Sequence, residues 1–217
     1  MTATSIWYAV ILSSIVAASC IVIALFEKLG PKNAFSWHPV LMTLAFIVFM
    51  PQGMNHYFAG TLLEVDRAAS RKKHAMYQII AVLLAIGGWI AIFVAHSGPG
   101  KNHTGSGAST VAQIHVWLGY LVLLGVVFQG FIGMMKLRKK FAKWHGKIGP
   151  AIWFLGALNV FLGTFFISYA YNSAVQIVTV ICILITVSMT LLLRTLAKNQ
   201  TKEENETYAP VQTNIPY

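Results

Sequence analysis

The chain has 217 residues, of which 57% are apolar and only 10% are charged, and its formal net charge is +10. This composition excludes an ordinary soluble domain and is typical of a chain that lies largely in lipid. The basic excess is explained by the positive-inside rule of membrane proteins, so we expect a lipid bilayer and no nucleic acid as partner.

Six apolar runs follow one another along the chain, each long enough to cross a hydrocarbon core of about 30 Å as a helix. They cover residues 6–26, 39–58, 75–95, 112–135, 149–169 and 174–196. We therefore predict an all-α, polytopic six-helix membrane bundle over residues 1–197. Residues 1–5 carry no positive charge, so we expect the first span to be retained rather than cleaved as a signal peptide. The polar residues 198–217 are predicted to be a disordered cytosolic tail.

Basic residues are concentrated on one side of the predicted bundle. Thirteen of the sixteen follow the second, fourth and sixth spans, and only Lys28, Lys32 and Lys101 face the other way. The positive-inside rule then places both termini in the cytosol of a multi-pass protein of an endomembrane or the plasma membrane. All six acidic residues lie outside the span interiors, which argues against an ion pump that needs a buried carboxylate.

Four of the seven histidines stand at the starting ends of spans two to five. His38 and His115 begin spans that run inward, so they share a depth near the outer face. His74 and His145 begin spans that run outward, so they share a depth near the cytosolic face. Two imidazoles at one depth can fill both axial positions of a haem iron, and the pattern predicts two b-type haems. A zinc site, which needs its ligands at one tetrahedron, is not expected.

Two further histidines fall on or near the same helix faces. His56 follows His38 by eighteen residues, or about five turns, which places it near the inner haem as a contact of a propionate or as an interfacial residue. His96 lies at the outer end of the third span, about 40° from the stripe of His74, and is a candidate substrate-contacting or proton-accepting group. No CxxCH motif for c-type haem is present.

Four short motifs accompany these histidines: WHPVLM at 37–42, His74 with Gln78 four residues later, IHVWLG at 114–119 and WHGKIG at 144–149. In order and spacing they resemble the eukaryotic cytochrome b561 family, from about residue 37 to residue 166. The resemblance implies a six-helix, commonly homodimeric protein with haems in spans two to five. It also implies a transmembrane ascorbate-dependent oxidoreductase, in which cytosolic ascorbate reduces the inner haem and the outer haem reduces monodehydroascorbate or a ferric chelate.

The same resemblance implies substrate residues at both ends. Family members bind ascorbate with basic residues just before the third-span histidine, and Lys72 matches one such lysine, with Arg71 and Lys73 beside it. At the outer end, His96 matches a family histidine that closes the third span. His103 is a second candidate substrate contact without a clear family counterpart.

One departure from the family pattern leaves the donor open. Many members follow a glutamine-glycine pair in the second span with an arginine near its inner end, whereas after Gln52-Gly53 this chain has Met54, Asn55, His56 and Gly60. Another donor such as a quinol therefore stays an alternative. From a different class, the residues also allow a haem-free membrane transporter or scaffold with merely interfacial histidines.

Overall fold

The computed structural model describes residues 2–63, 66–137, 144–166 and 173–207, and within these ranges it is helical without a β-strand. The elements are α1 (Ala3–Lys28), α2 (Ala34–Thr43), a π-helical segment (Leu44–Phe49), α3 (Met50–Leu62), α4 (Arg67–Ala95), α5 (Thr110–Leu137), α6 (His145–Phe166) and α7 (Ser173–Thr207). The helices α2 and α3 and the segment between them form one continuous span. Among the described residues, six helical stretches are thus long and apolar enough to cross a membrane. The predicted all-α six-helix architecture is confirmed.

Local sequence signals mark where helices begin and end. Gly30 follows α1 with φ of 77°, the left-handed conformation that glycine adopts without strain after a helix. The side chain of Asn33 caps α2, and the Asp66 carboxylate caps α4 by accepting from the amides of Ala68 and Ala69 at 3.0 and 3.1 Å. These bonds hold the pKa of the exposed Asp66 carboxyl below its ordinary value.

The π-helical segment in the second span has an identifiable cause. Pro51 has no backbone N–H, and its ring conflicts with the carbonyl four residues earlier in a regular helix. The widened turn relieves this conflict, and the amide of Met50 bonds to the carbonyl of Ala45, five residues back. The carbonyl of Phe46 accepts a hydrogen bond of 2.8 Å from Nε1 of Trp153. The π-helical segment therefore links the second span to α6. It also inserts one residue more than a regular α-helix would have between the two ends of the second span.

The spans pack mainly as three pairs. The helix α1 packs mainly against α7, the second span packs against α4, and α5 packs against α6. The main core is centred on the second span and includes buried residues from each of the other spans. Where the second span meets α6, a methyl group at Gly156 would collide with the ring of Phe46. Close approach through small residues is a common mode of helix association in lipid.

The helix α7 continues to Thr207, ten residues into the segment 198–217 that the sequence predicts to be disordered. The long apolar helix that precedes this segment already provides the helix nucleus, so each further turn adds little free-energy cost. The segment is also rich in lysine, glutamine and glutamate, which favour helix. Residues 208–217 lie outside the described residues.

Candidate functional site

The structure brings together the two histidine pairs that the sequence predicts to lie at equal depth in the membrane. His38 of α2 faces His115 of α5 with ring centroids 6.3 Å apart and ring planes at 88°. His74 of α4 faces His145 of α6 with centroids 6.0 Å apart and planes at 86°. Fourteen residues of α4 separate the levels of the two pairs, which corresponds to about 21 Å along the helix.

The separation within each pair fits one metal ion held between two imidazoles. Two metal–nitrogen bonds of about 2 Å, together with the distance from ring centre to ring nitrogen at both ends, require centroids about 6 Å apart. Two opposed imidazoles are the axial ligand set of a b-type haem. Among the described residues no group of three or more histidine, cysteine, aspartate and glutamate side chains could hold a metal ion.

The second span and α4 hold each other's histidines by reciprocal hydrogen bonds. Nδ1 of His38 donates to the carbonyl of Gly88 at 2.9 Å, and Nδ1 of His74 donates to the carbonyl of Gly53 at 2.9 Å. Gly88 follows His74 by fourteen residues, but Gly53 follows His38 by fifteen, and the π-helical segment absorbs the additional residue. Since a carbonyl can only accept, Nδ1 carries the proton and Nε2 is available as a metal ligand.

The helices α5 and α6 show a related arrangement. Nδ1 of His115 donates to the carbonyl of Asn159 at 3.2 Å. A methyl group at Gly163 would stand 3.3 Å from Cε1 of His115, and a methyl group at Gly133 would stand 3.3 Å from Cε1 of His145. The two glycines therefore form cradles for the opposing imidazole rings.

A cavity of about 270 Å³ surrounds the outer pair. Its lining is largely apolar and includes both His38 and His115, together with His96 and His103 at its mouth. An apolar cavity into which a few imidazoles converge suits a flat, mostly hydrophobic cofactor. The residues present at this site therefore fit a haem.

The loop after α4 contributes His103 to the lining of this cavity. The ring of His103 stacks on Phe93 with centroids 4.1 Å apart and planes at 7°, and the hydroxyl of Tyr120 donates to the carbonyl of His103 at 3.0 Å. His96 lies 6.4 Å from His103 between ring centroids, and its Nδ1 donates to the carbonyl of Ile92 at 3.0 Å. Both predicted outer substrate residues therefore meet at the same opening.

The predicted inner substrate residues are exposed at the start of α4. Arg71, Lys72 and Lys73 all point into solvent in the turn before His74. A further cation, Lys136, lies in the last turn of α5, the helix whose Gly133 faces the ring of His145. In the sequence analysis Lys136 serves only to indicate topology. Its position three residues after Gly133, the glycine that faces His145, is the sequence signal that indicates a place near the inner pair.

The ring of His56 lies between Trp7 of α1 and Tyr77 of α4. Its ring stacks on Tyr77 with centroids 5.2 Å apart and meets Trp7 edge-on at 4.5 Å. Nε1 of Trp7 in turn donates to Oε1 of the buried Gln52 at 2.9 Å. The neighbouring Tyr57 lies 6.1 Å from the ring of His74, so this aromatic group borders the inner pair.

The described residues include six helical stretches long and apolar enough to span a membrane, and four of them carry two opposed imidazole pairs. This arrangement is typical of membrane cytochromes that hold haem between helices. The model of the family described as eukaryotic cytochrome b561 matches residues 37–169. The chain belongs to this family, as the sequence motifs predicted. Membership implies that the protein binds haem b.

Several relatives share this region. The transmembrane ascorbate ferrireductase 1 of Arabidopsis thaliana is 28% identical over 63% of this chain and 57% of its own length. The transmembrane reductase CYB561D2 of Bos taurus is 26% identical over 71% of this chain and 72% of its own length. The lysosomal membrane ascorbate-dependent ferrireductase CYB561A3 of Homo sapiens is 27% identical over 62% of this chain and 56% of its own length. The chain thus spans little more than half of two of these proteins.

Proposed function

We propose that this protein transfers electrons across a membrane, from cytosolic ascorbate to monodehydroascorbate or a ferric chelate on the other side. The observation that carries the proposal is the pair of opposed imidazole sites, 6.3 and 6.0 Å between centroids, near the two ends of one bundle. Their separation of about 21 Å covers most of a hydrocarbon core of about 30 Å. The names of two relatives state ascorbate and ferric-reductase activities, which supports the same donor and acceptor.

In this proposal two b haems are bound, the outer one by His38 and His115 and the inner one by His74 and His145. Each haem supplies one-electron redox chemistry when bound. The protein's own part is to fix the imidazoles, since three of the four rings donate from Nδ1 to a backbone carbonyl. Imidazoles fixed in this way would stay in position to hold the haems, which would supply the one-electron chemistry.

At the cytosolic end the chain offers a positive field to the donor. Ascorbate is a monoanion at neutral pH, and Lys72 with its neighbours Arg71 and Lys73 is exposed where such an anion would approach the inner pair. Lys136 in the last turn of α5 adds a further positive charge at this end of the bundle. Convergent cations raise the local concentration of an anionic substrate and orient it.

At the opposite end, His96 and His103 stand at the mouth of the outer cavity. An imidazole there can contact a ferric chelate directly or transfer a proton as monodehydroascorbate is reduced. The stacked pair of His103 and Phe93 holds one of these groups over the opening. We propose both as contacts of the acceptor.

A quinol donor is a second candidate, favoured by one observation at the inner end of α3. Where many family members have an arginine, Gly60 packs directly on the side chain of Ser70, so this turn leaves no room for a larger residue. The nearby group of Trp7, His56 and Tyr77 is aromatic instead. Stopped-flow reduction by ascorbate and by a water-soluble quinol separates the two donors.

We further propose that both termini face the cytosol and that the protein is a homodimer. The first proposal rests on the excess of basic residues after even-numbered spans, and Lys139 in one of those segments lies outside the described residues. The second rests on the family resemblance. Cross-linking in native membranes tests it, because a monomeric protein would give no dimer band at any cross-linker concentration.

The experiment that tests the proposed function uses the purified holoprotein. We expect two haems per chain in a pyridine haemochrome assay, full reduction by ascorbate and reoxidation by a ferric chelate. A preparation without a stoichiometric Soret band would favour the haem-free transporter or scaffold. If both haems were reduced by a quinol and not by ascorbate, ascorbate would be rejected as the donor, and the proposal of transmembrane electron transfer would stand.

A further inference from the structure

The helices α5 and α6 carry one pattern twice, thirty positions apart. It consists of a histidine, a glycine four residues later, an amide side chain fourteen residues later and a glycine eighteen residues later. Its members are His115, Gly119, Gln129 and Gly133 in α5, and His145, Gly149, Asn159 and Gly163 in α6. Because the two helices run antiparallel, each amide residue lies within about a turn of the other helix's histidine.

In the outer half of the bundle the histidine has its acceptor, although Oδ1 of Asn159 is buried without a partner among the described residues. The carbonyl of Asn159 accepts from Nδ1 of His115 at 3.2 Å. The side-chain nitrogen of Asn159 lies 3.2 Å from the place that a methyl group on Gly119 would occupy. The absence of a side chain at Gly119 therefore makes room for the amide.

In the inner half the same residues leave a hydrogen bond unmade. Nδ1 of His145 is buried without a partner among the described residues, and the carbonyl of Gln129 faces it without completing a bond of normal geometry. Oε1 and Nε2 of Gln129 are also buried and without a partner in the described part of the chain. Gln129 is only 8% exposed. Its Oε1 lies 3.6 Å from the place of a methyl group on Gly149, one turn after His145.

Polar atoms that are buried without partners are rare in native proteins, and a bound water commonly joins them. The three unpaired atoms here include a donor on His145 and both a donor and an acceptor on Gln129. A water needs two or more such partners, and this set provides them. A water bound to the His145 ring and the Gln129 amide would therefore satisfy these atoms without a charged side chain.

We infer that Gln129 is a positioning residue for His145, and that its amide and one buried water accept the Nδ1–H of that imidazole. The inference rests on the proposed function, since it takes His145 as a haem ligand. An acceptor on the distal ring nitrogen makes an imidazole a stronger donor to the metal, which favours oxidised iron. Gln129 therefore lowers the midpoint potential of the inner haem.

The test compares Gln129→Met with the matched variant Asn159→Leu in purified holoprotein. Methionine keeps the length of glutamine without its hydrogen bonds, whereas leucine at 159 leaves the backbone carbonyl that holds His115 in place. A potentiometric titration followed at the haem α-band should resolve two components. We expect Gln129→Met to raise the midpoint potential of one component by about 59 mV, which is about a tenfold change in the equilibrium constant of a one-electron couple. Asn159→Leu should move the other component, and by less.

Gln129→Glu, which keeps an acceptor at the same length, should return the potential to the wild-type value or below it. The inference is overturned if Gln129→Met retains both haems with unchanged potentials, or if both substitutions move the same component. A wild-type protein that carries no haem would instead overturn the proposed function. The two failures are therefore distinguishable in one set of measurements.

Discussion

Replacing Gly53 by alanine tests whether the contact between α3 and α4 holds the inner site. A methyl group at Gly53 would lie 2.7 Å from Nε2 of Gln78, 3.0 Å from Cβ of Tyr77 and 3.3 Å from the carbonyl oxygen of His74. The Gln78 amide is not free to move away, because it donates to the carbonyl of Met50 at 3.0 Å. The substitution must therefore separate the two helices at the level of the inner pair.

Overpacking of this kind costs about 1–3 kcal/mol, which corresponds to about a five- to 150-fold loss in an equilibrium constant. The separation also stretches the 2.9 Å bond from His74 to the carbonyl of Gly53. We therefore expect Gly53→Ala to release the inner haem faster, with little effect on the outer one. The assay is transfer of haem to excess apomyoglobin, followed in the Soret band as two kinetic phases.

Gly87→Ala is the matched control. A methyl group there would meet only Cδ1 of Leu41 at 3.5 Å, an ordinary contact. This variant should release haem at the wild-type rate. The reasoning would be refuted if Gly53→Ala released haem no faster than Gly87→Ala, or if it accelerated both phases equally.

Three further outcomes are expected. Lys72→Ala should slow reduction by sub-saturating ascorbate about ten- to a hundredfold with haem content unchanged, since a charge-assisted hydrogen bond contributes about 1.5–3 kcal/mol; equal rates would remove Lys72 from the donor site. His96→Ala should leave reduction by ascorbate intact and slow oxidation by the external acceptor in stopped-flow traces, and an unchanged oxidation rate would contradict its assignment. A cysteine in place of Lys101 should react with an impermeant maleimide on intact cells that display the protein at the surface, whereas labelling only after permeabilisation would reverse the topology.

The sequence predicts the number of spans and the grouping of four histidines because both follow from simple periodic constraints. An apolar run of about twenty residues has few alternatives to a membrane helix. Alternation of direction then assigns His38 and His115 to one face and His74 and His145 to the other. Neither step requires knowledge of side-chain packing.

The partners of the histidines could not be predicted in the same way. Gly53 and Gly88 act through backbone carbonyls, which every residue has, and the fifteen-residue spacing of Gly53 makes sense only with a π-helical turn. Pro51 signals a distortion in the second span but not its type. The repeated pattern in α5 and α6 is visible in the sequence, yet its meaning depends on the antiparallel contact.

The extension of α7 and the position of the loop that contains His103 illustrate two other limits of prediction from sequence. Composition alone predicted disorder after residue 197, because it ignores the helix that already precedes this segment. The loop that contains His103 is rich in glycine and serine, but Phe93 and the Tyr120 hydroxyl fix its position. Such tertiary contacts override local composition.

The central claim is that two haems in series, one on each histidine pair, carry electrons across the membrane. The most direct test reconstitutes the holoprotein in liposomes that contain trapped ascorbate and are surrounded by an impermeant ferric chelate. We predict external ferrous iron formation that requires both the protein and internal ascorbate. His38→Ala and His74→Ala should each abolish this transfer while depleting a different haem. Wild-type protein with both haems bound and no transfer, or loss of one and the same haem in both variants, would contradict the account.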